Sequence, residues 1–199
     1  MFTGIIESQG QIAAIETVGG DARMTFTARS GYLEGANLGD SIAINGVCLT
    51  AVAFVAGGFV ADLSAETLQG TTAGQWQAGQ PVNLEKALTP HKPLGGHMVS
   101  GHVDGVGHLI EKHEDARGWR LRFEVPKALA RYIARKGSIT IDGISLTVNE
   151  VDKTRFGVMI VPHTWTHTTL GTLNVGSAVN LEVDLIARYL ERLLAAREE

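Results

Sequence analysis

The chain repeats itself at a fixed interval of 97 residues, and no other feature limits its folds as strongly. Slid by that interval, Ser41-Ile42 meets Ser138-Ile139. Ile44-Asn45-Gly46-Val47-Cys48-Leu49-Thr50 meets Ile141-Asp142-Gly143-Ile144-Ser145-Leu146-Thr147. Val82-Asn83-Leu84-Glu85 meets Val179-Asn180-Leu181-Glu182, and Thr3-Gly4 meets Ser100-Gly101. An offset that never changes marks a duplicated structural unit. The copies are read as 1–97 and 98–186. They are joined through Thr89–Gly96, whose two prolines and two glycines interrupt regular structure. Residues 187–199 form a separate tail.

Each copy reads as all-β. Met24-Thr25-Phe26-Thr27-Ala28 and its partner Leu121-Arg122-Phe123-Glu124-Val125 alternate with period two, as half-buried strands do. Asn45-Gly46 and Asp142-Gly143 supply turn chemistry, because these residues tolerate positive φ. Glu114–Gly118 is expected to be a hairpin loop, and short helical turns are expected at Leu33 and at Tyr132-Ile133. Many short strands in a small unit favour a closed barrel, which leaves no sheet edge open. The tail differs. Leu185, Ile186, Tyr189, Leu190, Leu193 and Leu194 recur at helical spacing, with Asp184 placed as the cap. A helix this short needs a surface to dock on, either its own chain or another copy.

Composition narrows the function classes. A net charge of −4 argues against a nucleic-acid binder. The single cysteine, Cys48, rules out an intrachain disulfide and suggests a cytoplasmic protein. No apolar run approaches the roughly 20 residues of a membrane span, and Met1–Gly10 lacks the pattern of a signal peptide. No GxGxxG or Walker spacing is present. His97/His102 and His163/His167 are paired too sparsely to read as a metal site, so no metal is expected. Trp76, Trp119 and Trp165 read as core or rim residues.

The copies keep their frame and change their reactive side chains. Cys48 corresponds to Ser145, Ile5 to His102, Asp62 to Met159, Glu66 to His163, Gly39 to Lys136 and Ala87 to Asp184. One cradle shape with two sets of chemistry suggests two like molecules handled in different roles.

Four stretches carry a resemblance to a known family. They are Met1–Glu7, Asn45–Thr50, Gly95–Gly105 and Lys136–Asn149, and the order and spacing hold from residue 1 to about 186. Together they are similar to the riboflavin synthases. That resemblance implies two tandem six-stranded antiparallel barrels and a C-terminal helix that assembles a homotrimer, with each active site formed where the N-terminal barrel of one subunit meets the C-terminal barrel of its neighbour. It implies a dismutation of two 6,7-dimethyl-8-ribityllumazine molecules by four-carbon transfer, giving riboflavin and 5-amino-6-(D-ribitylamino)uracil without a cofactor. It implies catalytic positions at Ser145, Cys48, His102, Lys136 and Asp184. In copy one it implies substrate contacts at Phe2, Gly4, Ile5, Ile6, Ser41, Leu49, Thr50, Asp62, Leu63, Ser64, Ala65, Glu66 and Thr67. In copy two the implied contacts are His97, Gly101, Val103, Leu146, Thr147, Met159, Ile160, Val161, Pro162, His163 and Thr164. Association with lumazine synthase is a further partner it suggests. The rival reading is a non-enzymatic lumazine- or flavin-binding chromophore protein on the same scaffold.

Overall fold

The computed structural model describes residues 1–197. Two closed six-stranded antiparallel barrels follow one another along the chain. The first is built from β1 (Ser8–Val18), β2 (Asp21–Ala28), β3 (Ser41–Ile44), β4 (Val47–Val55), β5 (Gly58–Leu63) and β6 (Pro81–Lys86). Its order around the barrel is β1-β2-β5-β4-β3-β6, with β6 returning to pair with β1 through Ser8 opposite Leu84. The second uses β7 (Gly105–Asp115), β8 (Gly118–Glu124), β9 (Ser138–Ile141), β10 (Ile144–Asp152), β11 (Arg155–Ile160) and β12 (Ala178–Val183) in the same cyclic order.

Period-two alternation sends one side chain in two into each barrel. Phe26 stacks on Phe59 at 5.4 Å in the first core, and their repeat partners Phe123 and Phe156 stack at 5.5 Å in the second. All four are fully buried or nearly so. Asn45-Gly46 and Asp142-Gly143 form two-residue hairpin turns with both residues at positive φ. The β7–β8 loop is tighter than the sequence suggests, since only Ala116 and Arg117 lie between the strands. No described helix is long and apolar enough to cross a membrane.

Three short helices flank the barrels: α1 (Ala65–Gly70), α2 (Lys127–Ala130) and α3 (Pro162–His167). The segment Val161–Trp165 therefore carries a helix. Pro162 starts it with a φ already suited to a first turn. Its twin α1 is capped by the Ser64 hydroxyl, which accepts the Thr67 N–H at 3.2 Å. The helical turn expected at Tyr132-Ile133 begins earlier, directly after Pro126.

The barrels meet on a pseudo-twofold axis at their hairpin turns. A Cβ on Gly46 would lie 2.7 Å from the Gly143 nitrogen, and a Cβ on Gly143 the same distance from the Gly46 nitrogen. Buried asparagines of β6 and β12 cross over to satisfy the opposite barrel. Asn83 Nδ2 donates to the Asp142 carbonyl at 3.1 Å and to Thr169 Oγ1 at 2.8 Å. Asn180 Nδ2 donates to the Asn45 carbonyl at 2.9 Å, and its Oδ1 accepts the Thr72 N–H at 2.7 Å. Only polar groups that find such partners tolerate this burial.

One member breaks the symmetry. Asn45 Oδ1 accepts the Asn83 N–H, and at the equivalent place Asp142 Oδ1 accepts the Asn180 N–H. Asp142 lines a cavity of about 280 Å³ between the barrels whose other walls, among them Asn45, Gln75, Trp76 and Thr172, are uncharged. Burial pushes its carboxyl up to about 7. Unfolded chains bind that proton only below about pH 4. The folded state therefore holds it longer, and the contribution is complete below pH 4 and lost as pH rises to 7. The loss is up to about 4 kcal/mol. Asp142→Asn, which copies the arrangement at Asn45, is expected to flatten this dependence and raise the melting temperature at pH 8. Denaturation curves of the two proteins that stay parallel from pH 4 to pH 8 would refute it.

The tail is helix α4 (Leu185–Ala195), capped by Asp184, whose carboxylate accepts the Ile186 N–H at 3.0 Å. It starts where the expected Asp184 cap places it; of the tail segment read as 187–199, residues 198 and 199 lie outside the described residues. Polar side chains tie it to the second barrel. Arg188 pairs with Asp104 at 2.7 Å, and Glu191 bonds both Arg131 and the Tyr132 hydroxyl. Its apolar face is left open: Tyr189, Leu190, Leu193 and Leu194 are each more than half exposed.

Candidate active site

The expected catalytic side chains sit on equivalent strands, Cys48 on β4 and Ser145 on β10. Cys48 pairs across the ladder with Ala43 of β3, and Ser145 with Thr140 of β9. Alternation places their Thr50 and Thr147 neighbours on the same outward face, and both threonines are exposed. Leu49 turns inward and is buried in the first core; Leu146 packs against the second.

Each reactive residue rests on a chain segment that enters the opposite barrel. The Ser145 N–H donates to the Gly4 carbonyl at 2.7 Å, and the Cys48 N–H donates to the Gly101 carbonyl at 2.8 Å. Both glycines have φ near +75 to +79°, a conformation that a side chain strains. A Cβ on Gly4 would lie 2.5 Å from Ser145 Cβ, and one on Gly101 2.6 Å from Cys48 Cβ. The two segments also pair with each other, Phe2 N–H to Val99 carbonyl at 2.7 Å and the reverse at 3.2 Å. Phe2 and Val99 form a small apolar cluster with Ala43, against which Cys48 packs.

His97 completes the site. Its Nδ1 is 2.7 Å from Ser145 Oγ, its backbone N–H donates to the Thr3 carbonyl, and its Nε2 is buried without a partner among the described residues. Burial lowers the imidazole below its usual basicity, while the Asp184 carboxylate acts in the opposite direction. The ring is consequently neutral at pH 7, the form able to take up a proton. Depending on tautomer, Nδ1 either accepts the Ser145 proton or donates to its oxygen.

The other expected residues are placed as follows. His102 is exposed, its N–H bonded to Ser100 Oγ and its carbonyl to Arg188, and its ring makes no hydrogen bond among the described residues. Lys136 is exposed at φ +68°, a strained position for a residue other than glycine, where its repeat partner is Gly39 at +90°. Ser41 lies opposite Thr50, Ile5 is about half exposed, Ile6 packs on the second core and Val103 on the first.

The outlying loops are not drawn into the Ser145–His97 cluster by any bond. Asp62 forms a two-pronged pair with Arg23 at 2.7 and 2.9 Å on the barrel surface, and that guanidinium holds its carboxyl below the usual range. Ser64 and Thr67 are engaged in capping α1, the Ala65 N–H donates to Asp21, and Glu66 is exposed. Leu63 and Ile160 are buried, so only their backbone could meet a ligand. Met159 lies opposite Arg120, and Val161 precedes Pro162 at the start of α3. Thr164 accepts the Thr168 hydroxyl through its carbonyl. The His163 ring packs on His167 with centroids 4.1 Å apart. Trp165 stacks on Trp119 at 4.3 Å beneath Lys112, a packing role.

Glu85 and Glu182 do not stand out as functional from the sequence, yet both carboxylates are buried beside this site. A signal was present: each copy keeps a charged residue within an otherwise inward-facing strand.

Comparison with known proteins agrees with this architecture. The lumazine binding domain family matches twice, at residues 3–87 and 100–184. Riboflavin synthase of Photobacterium phosphoreum is 48% identical over 194 residues, covering 98% of this chain and 89% of the relative. That of Mycobacterium bovis is 44% identical over 203 residues, covering 98% of each. That of Bacillus subtilis is 37% identical over 199 residues, covering 100% of this chain and 92% of the relative. Among solved structures, LumP complexed with riboflavin superposes with a TM-score of 0.86 at 27% identity, covering 92% of this chain and 99% of that one. LumP complexed with 6,7-dimethyl-8-(1'-D-ribityl) lumazine gives a TM-score of 0.84 over the same shares. Two matched domains and near-full-length relatives across several bacteria place this chain in the riboflavin synthase family.

Proposed function

We propose that the chain is a transferase that dismutates two molecules of 6,7-dimethyl-8-ribityllumazine to riboflavin and 5-amino-6-(D-ribitylamino)uracil. The carrying observation is the near-twofold arrangement in which Cys48 and Ser145 occupy equivalent places but only Ser145 has a histidine partner. Two like cradles with unlike chemistry suit two identical molecules, one giving up four carbons and one receiving them. Atoms balance between two identical reactants and the two products, so no oxidant or reductant is called for. The Ser145–His97 pair handles the proton of the C7 methyl of one lumazine, the Ser145 hydroxyl passing it to His97 Nδ1. Cys48 lies where it can orient the group that adds to C7 of the other. Holding the rings face to face supplies much of the rate as proximity.

The open apolar face of α4 supports assembly into a homotrimer, in which His102 and Lys136, both exposed in the single chain, meet a neighbouring subunit. The deciding experiment mixes the pure protein with the lumazine alone and follows flavin absorbance. Catalytic appearance of riboflavin supports the enzyme. A stoichiometric spectral shift without product supports a chromophore carrier instead, and no change removes both.

A further inference from the structure

The pair Glu85 and Glu182 has no part in the chemistry just described, yet it is among the most deeply buried charge in the molecule, at 1% and 2% exposure. Glu85 Oε1 accepts the Thr3 N–H at 2.8 Å and the Thr3 hydroxyl at 2.7 Å, and its Oε2 accepts the Gly4 N–H at 2.9 Å. Glu182 repeats the pattern on Ser100 and Gly101 at 2.7, 2.7 and 2.9 Å. Three charge-assisted bonds to one short segment are far more than an anchor in a loop needs.

What each clamped segment does next gives the arrangement its meaning. Glu85 belongs to the first barrel, but the Gly4 carbonyl it orients receives the N–H of Ser145 in the second. The same segment offers the Thr3 carbonyl to the His97 N–H, so both members of the Ser145–His97 pair hang from it. Glu182 belongs to the second barrel, and the Gly101 carbonyl it orients receives the N–H of Cys48 in the first. Both glycines press directly against the Cβ of the residue they hold, so a small tilt of either segment moves the reactive side chain with it.

We propose that Glu85 and Glu182 are crossed positioning residues: each barrel's buried carboxylate sets the reactive side chain of the other barrel. Glu85 governs Ser145 and His97, and Glu182 governs Cys48. Each reactive side chain is in this way set from the barrel opposite its own, so the orientation of both depends on how the two barrels cross. The surroundings of the two clamps differ. Lys92 lies 3.1 Å from Glu85 and 2.6 Å from Glu7, whereas on the other side Arg188 of α4 donates to the His102 carbonyl at 3.0 Å, next to the clamped Gly101. The clamp at Cys48 is thereby linked to the helix that carries the open apolar face.

This inference rests on Cys48 and Ser145 being the reactive pair, and its test needs no turnover, so it can fail or stand separately from the lumazine reaction. Cys48 is the only cysteine, so alkylation by iodoacetamide reads that site alone. Glu182→Gln is expected to change the alkylation rate about threefold or more, or to displace its pH profile by about half a unit. Glu85→Gln is expected to leave it within about 1.5-fold. The His97 imidazole titration, followed by NMR, is expected to behave in reverse, shifting in Glu85→Gln and holding in Glu182→Gln. If either variant fails to fold, Ser100→Ala and Thr3→Val remove one leg of each clamp and carry the same expectation. A purely structural role predicts that both variants disturb both readouts together. That result, no change in either readout, or each variant moving only the site of its own barrel overturns the proposal.

Discussion

Alanine at position 145 is expected to lower riboflavin formation about 10²- to 10³-fold while leaving the fold intact, the range of a lost acid–base group. The Ser145 backbone N–H keeps its bond to the Gly4 carbonyl, and the half-buried side chain contributes little apolar packing. Deleting Oγ costs one hydrogen bond to His97, about 1 kcal/mol of stability. The chemical cost is larger, because His97 loses the hydroxyl through which it acts. His97→Gln is expected to reduce the rate comparably, and Ser145→Ala with His97→Gln to be no slower than the worse single variant, since the two act as a unit. Solvent exchange of the C7 methyl protons, measured by NMR in deuterated buffer, is expected to fall in parallel with turnover. A rate within about twofold of the parent in Ser145→Ala would remove this residue from the reaction.

Truncation after Asp184 is expected to convert the proposed trimer to monomers and, if each site is built between neighbouring subunits as the family resemblance implies, to cut turnover by about 10³-fold or more, the scale of lost proximity between two reactants. The argument is one of exposed apolar area. Ile186, Tyr189, Leu190, Leu193 and Leu194 stand between 54 and 65% exposed along one side of α4, and none of the other described residues covers them. A contiguous apolar face of this kind marks a surface that gains from burial against a partner. The contacts that hold α4 to its own barrel, Arg188 to Asp104 and Glu191 to Arg131, are partly solvated, and their loss costs little. The barrel itself ends with β12 at Val183 and keeps its closure. Sedimentation of the truncated protein gives the oligomeric state, and its melting temperature confirms the fold. Leu190→Asp with Leu193→Asp is expected to reproduce the effect in the full-length chain. A truncated protein that stays trimeric, or a monomer that turns over at the parental rate, defeats this reading.

The rival carrier reading gains its weight from the LumP structures, which share the scaffold at 27% identity. Similar barrels hold similar ligands without determining whether a reaction follows. Turnover of the lumazine by the parent protein, and its loss in Ser145→Ala, separates the two readings.

Much of this protein is legible in its residue order. The 97-residue repeat, the alternating strands around Phe26 and Phe123, the Asn45-Gly46 and Asp142-Gly143 turns and the Asp184 cap are all local patterns, and local patterns survive without knowledge of the fold. They were sufficient for two barrels and a helix. The brief helices α1 and α3 escaped because six residues show less than two turns of periodicity. Tertiary structure alone decided that Gly4 braces Ser145 and Gly101 braces Cys48, that His97 rather than His102 bonds the serine, and that Glu85 and Glu182 clamp the segments between them. These partners stand between 48 and 141 positions apart in the chain. Contacts at such separations arise from barrel closure and from the way two barrels cross, so nothing in the neighbouring residues announces them.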